Sequence, residues 1–206
     1  NNRMQAEMKL YSFVQIRGSM PFIWTQTANL QWAPKANMPA TPENNVEVAK
    51  KNLEKAVSEY GPIVLANLID KKGTQKKLGD EYSRVVGAIN NPKVKHVWFD
   101  FHHECRGMKY QNLSKLLSQF ETDLEQMKYH ESTYNLNNYH ISISNKQHGT
   151  VRTNCMDSLD RTNVVQSVVA RRVLHGCLKA AGLSNIGDNN IGPFEELPSN
   201  LEVLFR

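Results

Sequence analysis

The sequence is poor in cysteine and contains no long apolar run, and each shortage excludes a class of protein. Only 3 of the 206 residues are cysteines, and no two of them form a Cys-x-x-Cys pair. A disulfide scaffold and a zinc site of paired cysteines are therefore excluded. No segment approaches the roughly 18 consecutive apolar residues that a membrane-spanning helix requires. We expect a reducing compartment, in which any of the three thiols can be the working one.

A large excess of one charge is also missing. The chain has 25 Lys and Arg residues against 20 Asp and Glu, which gives a net charge of +5 and a pI of about 9.1. The basic residues are spread along the chain and do not form the dense blocks of a nucleic-acid-binding arm. We therefore expect no nucleic-acid partner, whereas an anionic surface is compatible with this mild excess.

Apolar runs and helical spacings alternate along the chain, which predicts strands and helices in turn. The predicted strands cover residues 10–16, 21–26, 63–69, 94–101, 139–144 and 151–154. The predicted helices cover residues 43–60, 78–89, 113–129 and 162–181. Turn residues at 17–19 indicate a hairpin between the first two strands, and Thr41 is the expected N-cap of the first helix. The alternation is typical of an α/β domain with a mixed central sheet flanked by helices.

Cys155 stands where a predicted strand gives way to a helix, and Arg161 follows it in a Cys-x5-Arg spacing. A bound phosphoryl group needs backbone N–H donors and a helix N-terminus for its oxygens, an arginine to bind two of them, and a nucleophile beneath the phosphorus. The spacing therefore predicts a phosphate-binding loop with Cys155 as nucleophile. The helix N-terminus and Arg161 should lower the pKa of this thiol from its usual value of about 8.5.

Two acids, Asp157 and Asp160, lie inside this loop. A loop that only binds a dianion should avoid them, whereas a phosphatase needs an acid to protonate the leaving alkoxide. The acids therefore favour catalysis, with capping of the following helix as their structural alternative. Thr162 is placed to hydrogen-bond the thiolate or to cap that helix. A buried structural cysteine is the other interpretation of Cys155, and the lack of glycine between residues 156 and 160 favours it.

Four segments resemble the Sac-domain (suppressor of actin) family of phosphoinositide phosphatases. Residues 152–166 (RTNCMDSLDRTNVVQ) are similar to the catalytic motif of that family. The other segments are residues 12–24 (SFVQIRGSMPFIW), 67–73 (NLIDKKG) and 99–105 (FDFHHEC). Their order and rough spacing agree with the family, so the resemblance covers nearly the whole chain. Within the family, the endoplasmic reticulum and Golgi branch is the most similar.

The resemblance implies hydrolysis of inositol-ring phosphomonoesters, above all phosphatidylinositol 4-phosphate or 3-phosphate, without a metal or another cofactor. It makes Cys155 the nucleophile, Arg161 the phosphate clamp, and either Asp160 or Asp157 the acid. The similar two-acid loop of myotubularin-type phosphatases favours Asp160. Ser158 departs from the family, in which most members carry a second cysteine there, so a redox or loop-shaping role of that thiol is in doubt.

Further residues complete the expected site. The loop residues expected to bind the substrate phosphate with Arg161 are Met156, Ser158, Leu159 and Thr162. The residues expected at the edge of the pocket are Arg17, Asp100 and His102. His102 and His103 suggest no metal site, because adjacent residues of an extended backbone point in different directions.

The resemblance also bears on the surroundings of the chain. Its opening without Met and its end without a capping signal lead us to expect an excerpt, with residues 1–206 forming part of a Sac-type catalytic domain. An N-terminal non-catalytic domain should pack against it, and membrane anchors outside the chain should hold it at the cytoplasmic face of the endoplasmic reticulum or Golgi. The expected partner is a phosphoinositide headgroup at an anionic membrane surface.

Two alternatives come from other functional classes. The chain can be a catalytically silent phosphoinositide-binding module or scaffold, although such a protein is expected to have lost one of Cys155, Asp160 and Arg161. It can also be a protein phosphatase, which predicts equal turnover of a phosphotyrosine peptide and of the lipid.

Overall fold

The computed structural model describes residues 7–27 and 36–182. Its strands are β1 (Glu7–Ser12), β2 (Ile16–Arg17), β3 (Thr25–Gln26), β4 (Ala36–Asn37), β5 (Ile63–Asn67), β6 (Val94–Trp98), β7 (His130–Asn135), β8 (Ile141–Asn145) and β9 (Thr150–Asn154). Its helices are α1 (Pro42–Tyr60), α2 (Lys76–Ile89), α3 (Phe101–Glu104), α4 (Leu113–Leu117), α5 (Glu121–Met127) and α6 (Asp160–Ala180). The predicted α/β class is confirmed, with parallel and antiparallel pairing in separate sheets.

A four-stranded sheet in the order β2-β9-β5-β6 carries the core, and each neighbouring pair in it is parallel. Every residue of β5 and of β9 is buried. Such strands are covered on both faces, which explains why β5 reads as a continuous apolar run. Its side chains alternate between the two faces, so that Val64 and Ala66 join one core cluster while Ile63 and Leu65 join the other.

Helices cover both faces of this sheet. One core cluster contains Leu53 of α1 and Tyr82 of α2, and the other contains Leu124 of α5 and Val165 of α6. The first helix begins as predicted, because Thr41 Oγ1 accepts the backbone N–H of Asn44 at 3.3 Å. None of the helices in the described residues is long and apolar enough to cross a membrane.

A second sheet, in the order β1-β7-β8, is antiparallel and much more exposed. The hairpin predicted around residues 17–19 is wrong. β1 pairs with β7 and β2 pairs in parallel with β9, whereas residues 21–26 contribute only β3, which pairs with β4. The chain does turn after β2, but β1 and β2 pair with strands of the second half of the chain and β3 pairs with β4, so none of them pairs with another across this turn.

Two further predictions require correction. The single helix predicted over residues 113–129 is divided into α4 and α5 at Phe120, whose φ of −137° and ψ of 22° are not helical. Phe120 is only 1% exposed, so burial of its ring in the core fixes this break. Strand β7 was not predicted, because its sequence HESTYN has neither an apolar run nor regular alternation. The strand predicted over residues 10–16 is divided into β1 and β2, and neither β4 nor α3 was predicted. The other predicted strands and helices are confirmed, with shifts of a few residues at their ends.

Candidate active site

The carboxyl ends of the four parallel strands lie along one edge of the central sheet. β5 ends at Asn67, which stands opposite both Trp98, the last residue of β6, and Asn154, the last residue of β9. Cys155 follows β9 directly and therefore lies at this edge of the sheet. Ligand sites of open α/β sheets occur outside the carboxyl ends of the strands. The residues predicted from the Cys-x5-Arg spacing thus lie where this class of fold places its ligand sites.

The Cys155 side chain is completely buried at the base of the loop. Its thiol donates a hydrogen bond to Asp157 Oδ1 at 3.0 Å, and its sulfur accepts the N–H of Ser158 at 3.2 Å. Burial, followed by the hydrogen bond to Asp157, raises the pKa of Cys155, although the charge of Arg161 acts in the opposite direction. The lowered pKa expected from the sequence is therefore wrong for this arrangement of the loop, because burial and the Asp157 carboxylate outweigh Arg161.

The Asp157 carboxylate organises the loop. Its Oδ1 accepts the Cys155 thiol and also the N–H of Leu159, which lies 3.1 Å away. The hydrogen bond from Cys155 lowers the pKa of Asp157, so the carboxylate is ionised at neutral pH. The same hydrogen bond lowers the pKa of Asp157 and raises that of Cys155, so it keeps the proton on the sulfur in this arrangement of the loop.

Ser158 supplies the conformation for which a glycine was expected. Its φ of 56° lies in the left-handed region, which non-glycine residues seldom adopt. This conformation turns the Ser158 N–H towards the Cys155 sulfur. Among the residues that the structure describes, no group bonds the buried Ser158 Oγ. Met156, by contrast, packs partly buried against the core cluster of Leu53 and Tyr82.

Arg161 lies in the first turn of α6, and its guanidinium reaches the segment that follows β5. Nη1 donates to the carbonyl oxygen of Leu68 at 3.3 Å and to Gln75 Oε1 at 3.2 Å. Asp70 Oδ1 lies 3.6 Å from the same nitrogen. Asp70 and Gln75 were not assigned to the site from the sequence. The position of Asp70 immediately after the apolar run of residues 63–69, at the same sheet edge as Cys155, was a signal that could have found it.

Asp100 and His102, both predicted at the pocket edge, follow β6 at this same edge. Asp100 is the N-cap of α3, and its Oδ2 accepts the N–H of Lys71 at 3.0 Å. His102 Nδ1 lies 2.9 Å from Asp70 Oδ1. The segments after β5 and β6 are therefore joined by two polar contacts, and Asp70 touches both Arg161 and His102.

The other predicted residues surround the start of α6. Arg17, at the end of β2, donates to Asn163 Oδ1 in the first turn of that helix. The buried Thr162 hydroxyl donates to the carbonyl oxygen of Leu159 at 2.7 Å. The expected bond from Thr162 to the thiolate, or to the helix N-terminus, is therefore not formed. Within residues 7–27 and 36–182, no side chain or backbone group bonds the exposed Asp160 carboxylate.

Cys155 lines neither of two cavities in the described part of the chain. A cavity of about 410 Å³ opens beside the sheet edge, between the end of β6 and α4, and Lys71, Trp98 and Asp100 are among its lining residues. A cavity of about 370 Å³ lies between α5, β7 and α6, with Glu131 and Arg172 in its wall. No group of three His, Cys, Asp or Glu side chains in the described part of the chain could hold a metal ion.

Fold and site together define an α/β protein whose candidate site, a cysteine and an arginine six residues apart, lies at the carboxyl edge of a parallel sheet. Residues 2–106 match the SacI homology domain. The chain is 37% identical over 187 residues to phosphatidylinositol-3-phosphatase SAC1 of Saccharomyces cerevisiae, which covers 90% of this chain and 30% of that protein. It therefore belongs to the SacI homology family, as the four sequence segments predicted.

Other relatives give the same result. Phosphatidylinositol-3-phosphatase SAC1-B of Danio rerio is 37% identical over 176 residues, covering 85% of this chain and 29% of that protein. Phosphatidylinositide phosphatase SAC2 of Mus musculus is 37% identical over 172 residues, covering 84% of this chain and 15% of that protein. The chain thus spans less than a third of these relatives. The match to the SacI homology domain ends at residue 106, whereas the pairwise similarities extend into the second half of the chain.

Proposed function

We propose that this chain is part of the catalytic domain of a phosphoinositide phosphatase that hydrolyses an inositol-ring phosphomonoester, in the first place phosphatidylinositol 4-phosphate or 3-phosphate. The observation that carries the proposal is the position of Cys155 and Arg161, at the carboxyl edge of a parallel sheet and at the first turn of α6. The names of the relatives support a phosphoinositide substrate and, of the two lipids, the 3-phosphate, since two of these relatives are called phosphatidylinositol-3-phosphatases.

In the first proposed step, the substrate phosphoryl group lies at the N-terminus of α6, where Arg161 binds its oxygens. The Cys155 thiol gives its proton to Asp157, with which it is hydrogen-bonded. A sulfur electron pair then forms the S–P bond while the P–O bond to the inositol ring breaks. The ring oxygen leaves with the electrons of the broken bond and takes a proton from Asp160 or Asp157.

The charge of the substrate helps these carboxyl groups to carry protons. A phosphate dianion beside Asp157 disfavours its ionised form and so opposes the lowering of its pKa by the hydrogen bond from Cys155. In the second step, water attacks the phosphocysteine, a loop carboxylate accepts a proton of that water, and the S–P bond breaks. Inorganic phosphate leaves, and the Cys155 thiolate takes the proton back from that carboxyl group, which restores the thiol and the carboxylate without a metal or an organic cofactor.

The proposed substrate is a lipid headgroup, so the proposal includes an anionic membrane surface as partner. Lys71 and Lys72 lie in the loop after β5, beside the candidate site, and basic residues near an anionic bilayer contribute about 1 kcal/mol each. We place the protein at the cytoplasmic face of the endoplasmic reticulum or Golgi. The chain spans 30% of the yeast relative, so we assign the membrane anchors and an N-terminal domain that packs against this piece to the rest of the protein.

The test uses the complete protein that contains this chain, assayed for phosphate release from each phosphoinositide monophosphate and bisphosphate in vesicles. We expect Cys155→Ser to lower turnover by about 1,000-fold or more, because serine is a much weaker nucleophile at neutral pH. The control variant is Cys177→Ser, which changes a buried thiol near the end of α6 and should retain activity. Circular dichroism and vesicle binding check that both variants fold and bind. Full activity of Cys155→Ser contradicts the proposal.

One observation favours the silent lipid-binding module as a second candidate. The Cys155 thiol is completely buried and is hydrogen-bonded to a carboxylate, which stabilises its unreactive protonated form. This candidate predicts that the unmodified protein binds phosphoinositide vesicles and releases no phosphate from any of them. Equal turnover of a phosphotyrosine peptide and of the lipids would instead identify a protein phosphatase.

A further inference from the structure

We propose that Asp70 is a positioning residue that orients Arg161 for the phosphate. The inference rests on the proposed function of Cys155 and Arg161 and assigns a role to Asp70, which the proposed mechanism leaves unused. Asp70 lies at the carboxyl end of β5, the strand next to the one that delivers Cys155. It acts through the guanidinium and does not touch the reacting atoms.

The contacts of Arg161 are concentrated on one nitrogen. Nη1 faces three oxygens: the Leu68 carbonyl at 3.3 Å, Gln75 Oε1 at 3.2 Å and Asp70 Oδ1 at 3.6 Å. In the part of the chain that the structure describes, neither Nη2 nor Nε has a partner. One end of the planar guanidinium is therefore anchored, and the opposite edge is left for a ligand. A guanidinium binds phosphate with two parallel N–H groups, so a fixed plane favours that geometry.

Asp70 is itself held in place from three sides. Its backbone N–H donates to Gln75 Oε1 at 3.2 Å, and its Oδ1 lies 2.9 Å from His102 Nδ1. The residue before it is fixed because Trp98 Nε1 donates to the Ile69 carbonyl oxygen at 2.8 Å. The Asp70 carboxylate thus has a fixed position from which it can set the direction of the Arg161 guanidinium.

Burial supports the same assignment. The Arg161 side chain is 11% exposed and that of Asp70 is 26% exposed, so the pair is only partly screened by water. A carboxylate this close to a phosphate site repels the bound phosphate, so an aspartate is unfavourable at this position unless it has a role there. Orientation of Arg161 explains why the carboxylate is present. An aligned guanidinium strengthens phosphate binding in the reactive geometry, and this gain offsets the repulsion between the carboxylate and the phosphate.

The test compares Asp70→Ala with the conservative variant Asp70→Asn in the complete protein. Alanine removes the anchoring oxygen, and we expect kcat/KM to fall by about 10- to 100-fold, mostly in kcat, because a misplacement of about 1 Å costs this much. Asparagine keeps an oxygen opposite Nη1 and should restore activity to within a few-fold of the unmodified protein. The matched control is Asp123→Ala, which removes an aspartate from an ion pair with Lys95 near the start of β6, away from the carboxyl edge.

A second comparison separates positioning from a structural role. Lysine cannot use the fork geometry that Asp70 aligns, so Asp70→Ala should lower kcat/KM by less than about 2-fold in an Arg161→Lys background. An equal loss in both backgrounds, or unchanged kinetics of Asp70→Ala, overturns the inference.

Binding of inorganic phosphate, followed by the increase in melting temperature, gives a readout that does not need turnover. If the unmodified protein binds phosphate without turnover and Asp70→Ala weakens that binding, the proposed function fails and the positioning role stands. If turnover is present and Asp70→Ala changes neither kinetics nor phosphate binding, the positioning role fails and the proposed function stands. If turnover is absent and the two proteins bind phosphate equally, or not at all, both fail.

Discussion

The parallel sheet and the antiparallel sheet of this protein differ in how their strands meet the solvent. Every residue of β5 and β9 in the parallel sheet is buried, whereas four of the five residues of β8 in the antiparallel sheet are exposed. Ile63 on β5 is 1% exposed and Ile143 on β8 is 53% exposed. The same residue type thus serves as core in one sheet and as surface in the other.

The candidate site occurs only in the first of these environments. Cys155 directly follows β9 and Asp70 lies three residues after β5, and both of these strands are buried along their whole length. Sites built on such rigid elements hold their geometry more closely than sites on loops. The antiparallel sheet instead exposes apolar side chains, among them Leu10, Ile141 and Ile143. We therefore expect the buried parallel sheet to be the more sensitive of the two to substitution. Three experiments test this difference.

The largest expected effect is on the core of the parallel sheet. Ile63→Ala should lower the free energy of unfolding by about 2 to 5 kcal/mol, because it removes buried methyl groups and leaves a cavity. Ile143→Ala on the antiparallel sheet should change it by less than about 1 kcal/mol, because the side chain is half exposed already. Urea denaturation of the two variants measures the difference. A similar loss of unfolding free energy in both variants would mean that the antiparallel sheet is covered in the complete protein. The two sheets would then not differ in burial.

A smaller effect is expected where α2 packs on β6. A Cβ added at Gly79 would lie 2.1 Å from the Trp98 ring, so the ring must move. Overpacking of this kind costs about 1 to 3 kcal/mol, which exceeds the gain of up to about 1 kcal/mol from alanine in a helix. Gly87, in the same helix, has nothing within 4 Å of an added Cβ. Thermal unfolding should show that Gly79→Ala lowers the melting temperature and that Gly87→Ala does not lower it; equal shifts would contradict the packing argument.

The smallest effect concerns the loop and leaves both sheets intact. The Asp157 carboxylate contributes to the raised pKa of Cys155 through a hydrogen bond and its charge. Asp157→Asn removes the charge, so the thiol pKa should fall and alkylation by iodoacetamide should begin at lower pH. Peptide mass spectrometry follows Cys155 separately from Cys105 and Cys177, in which burial raises the pKa to about 11 and which should keep their reactivity. An unchanged pH profile for Cys155 would assign its raised pKa to burial alone.

Much of the parallel sheet was predictable, because strands buried on both faces carry their own signal. The apolar run that became β5 and the helical spacing of α1 were read from short windows of sequence. The antiparallel sheet was not predictable in this way. β7 became a strand only because β1 and β8 bond its two sides, and its own residues have no strand pattern.

The candidate site also has a part that the sequence predicted and a part that it did not. The Cys-x5-Arg spacing identified Cys155 and Arg161, and their placement at the end of β9 and the start of α6 follows from the local order of strand and helix. The partners of Arg161 come from the segment after β5, and those contacts depend on which strands are neighbours in the sheet. The pKa of Cys155 was also predicted in the wrong direction, because burial and the rotamer of Asp157 cannot be read from spacing.

The position of β9 in its sheet has a consequence for the growing chain. β9 is last in sequence among the four parallel strands, yet it lies between β2 and β5. A nascent chain that has not reached residue 150 leaves one side of β5 unpaired, with its N–H and C=O groups free to bond another strand. Such late, long-range pairing is slow and exposes the chain to aggregation. We therefore expect residues 2–106, which match the SacI homology domain, to depend on chaperones during synthesis until β9 emerges and pairs with β5.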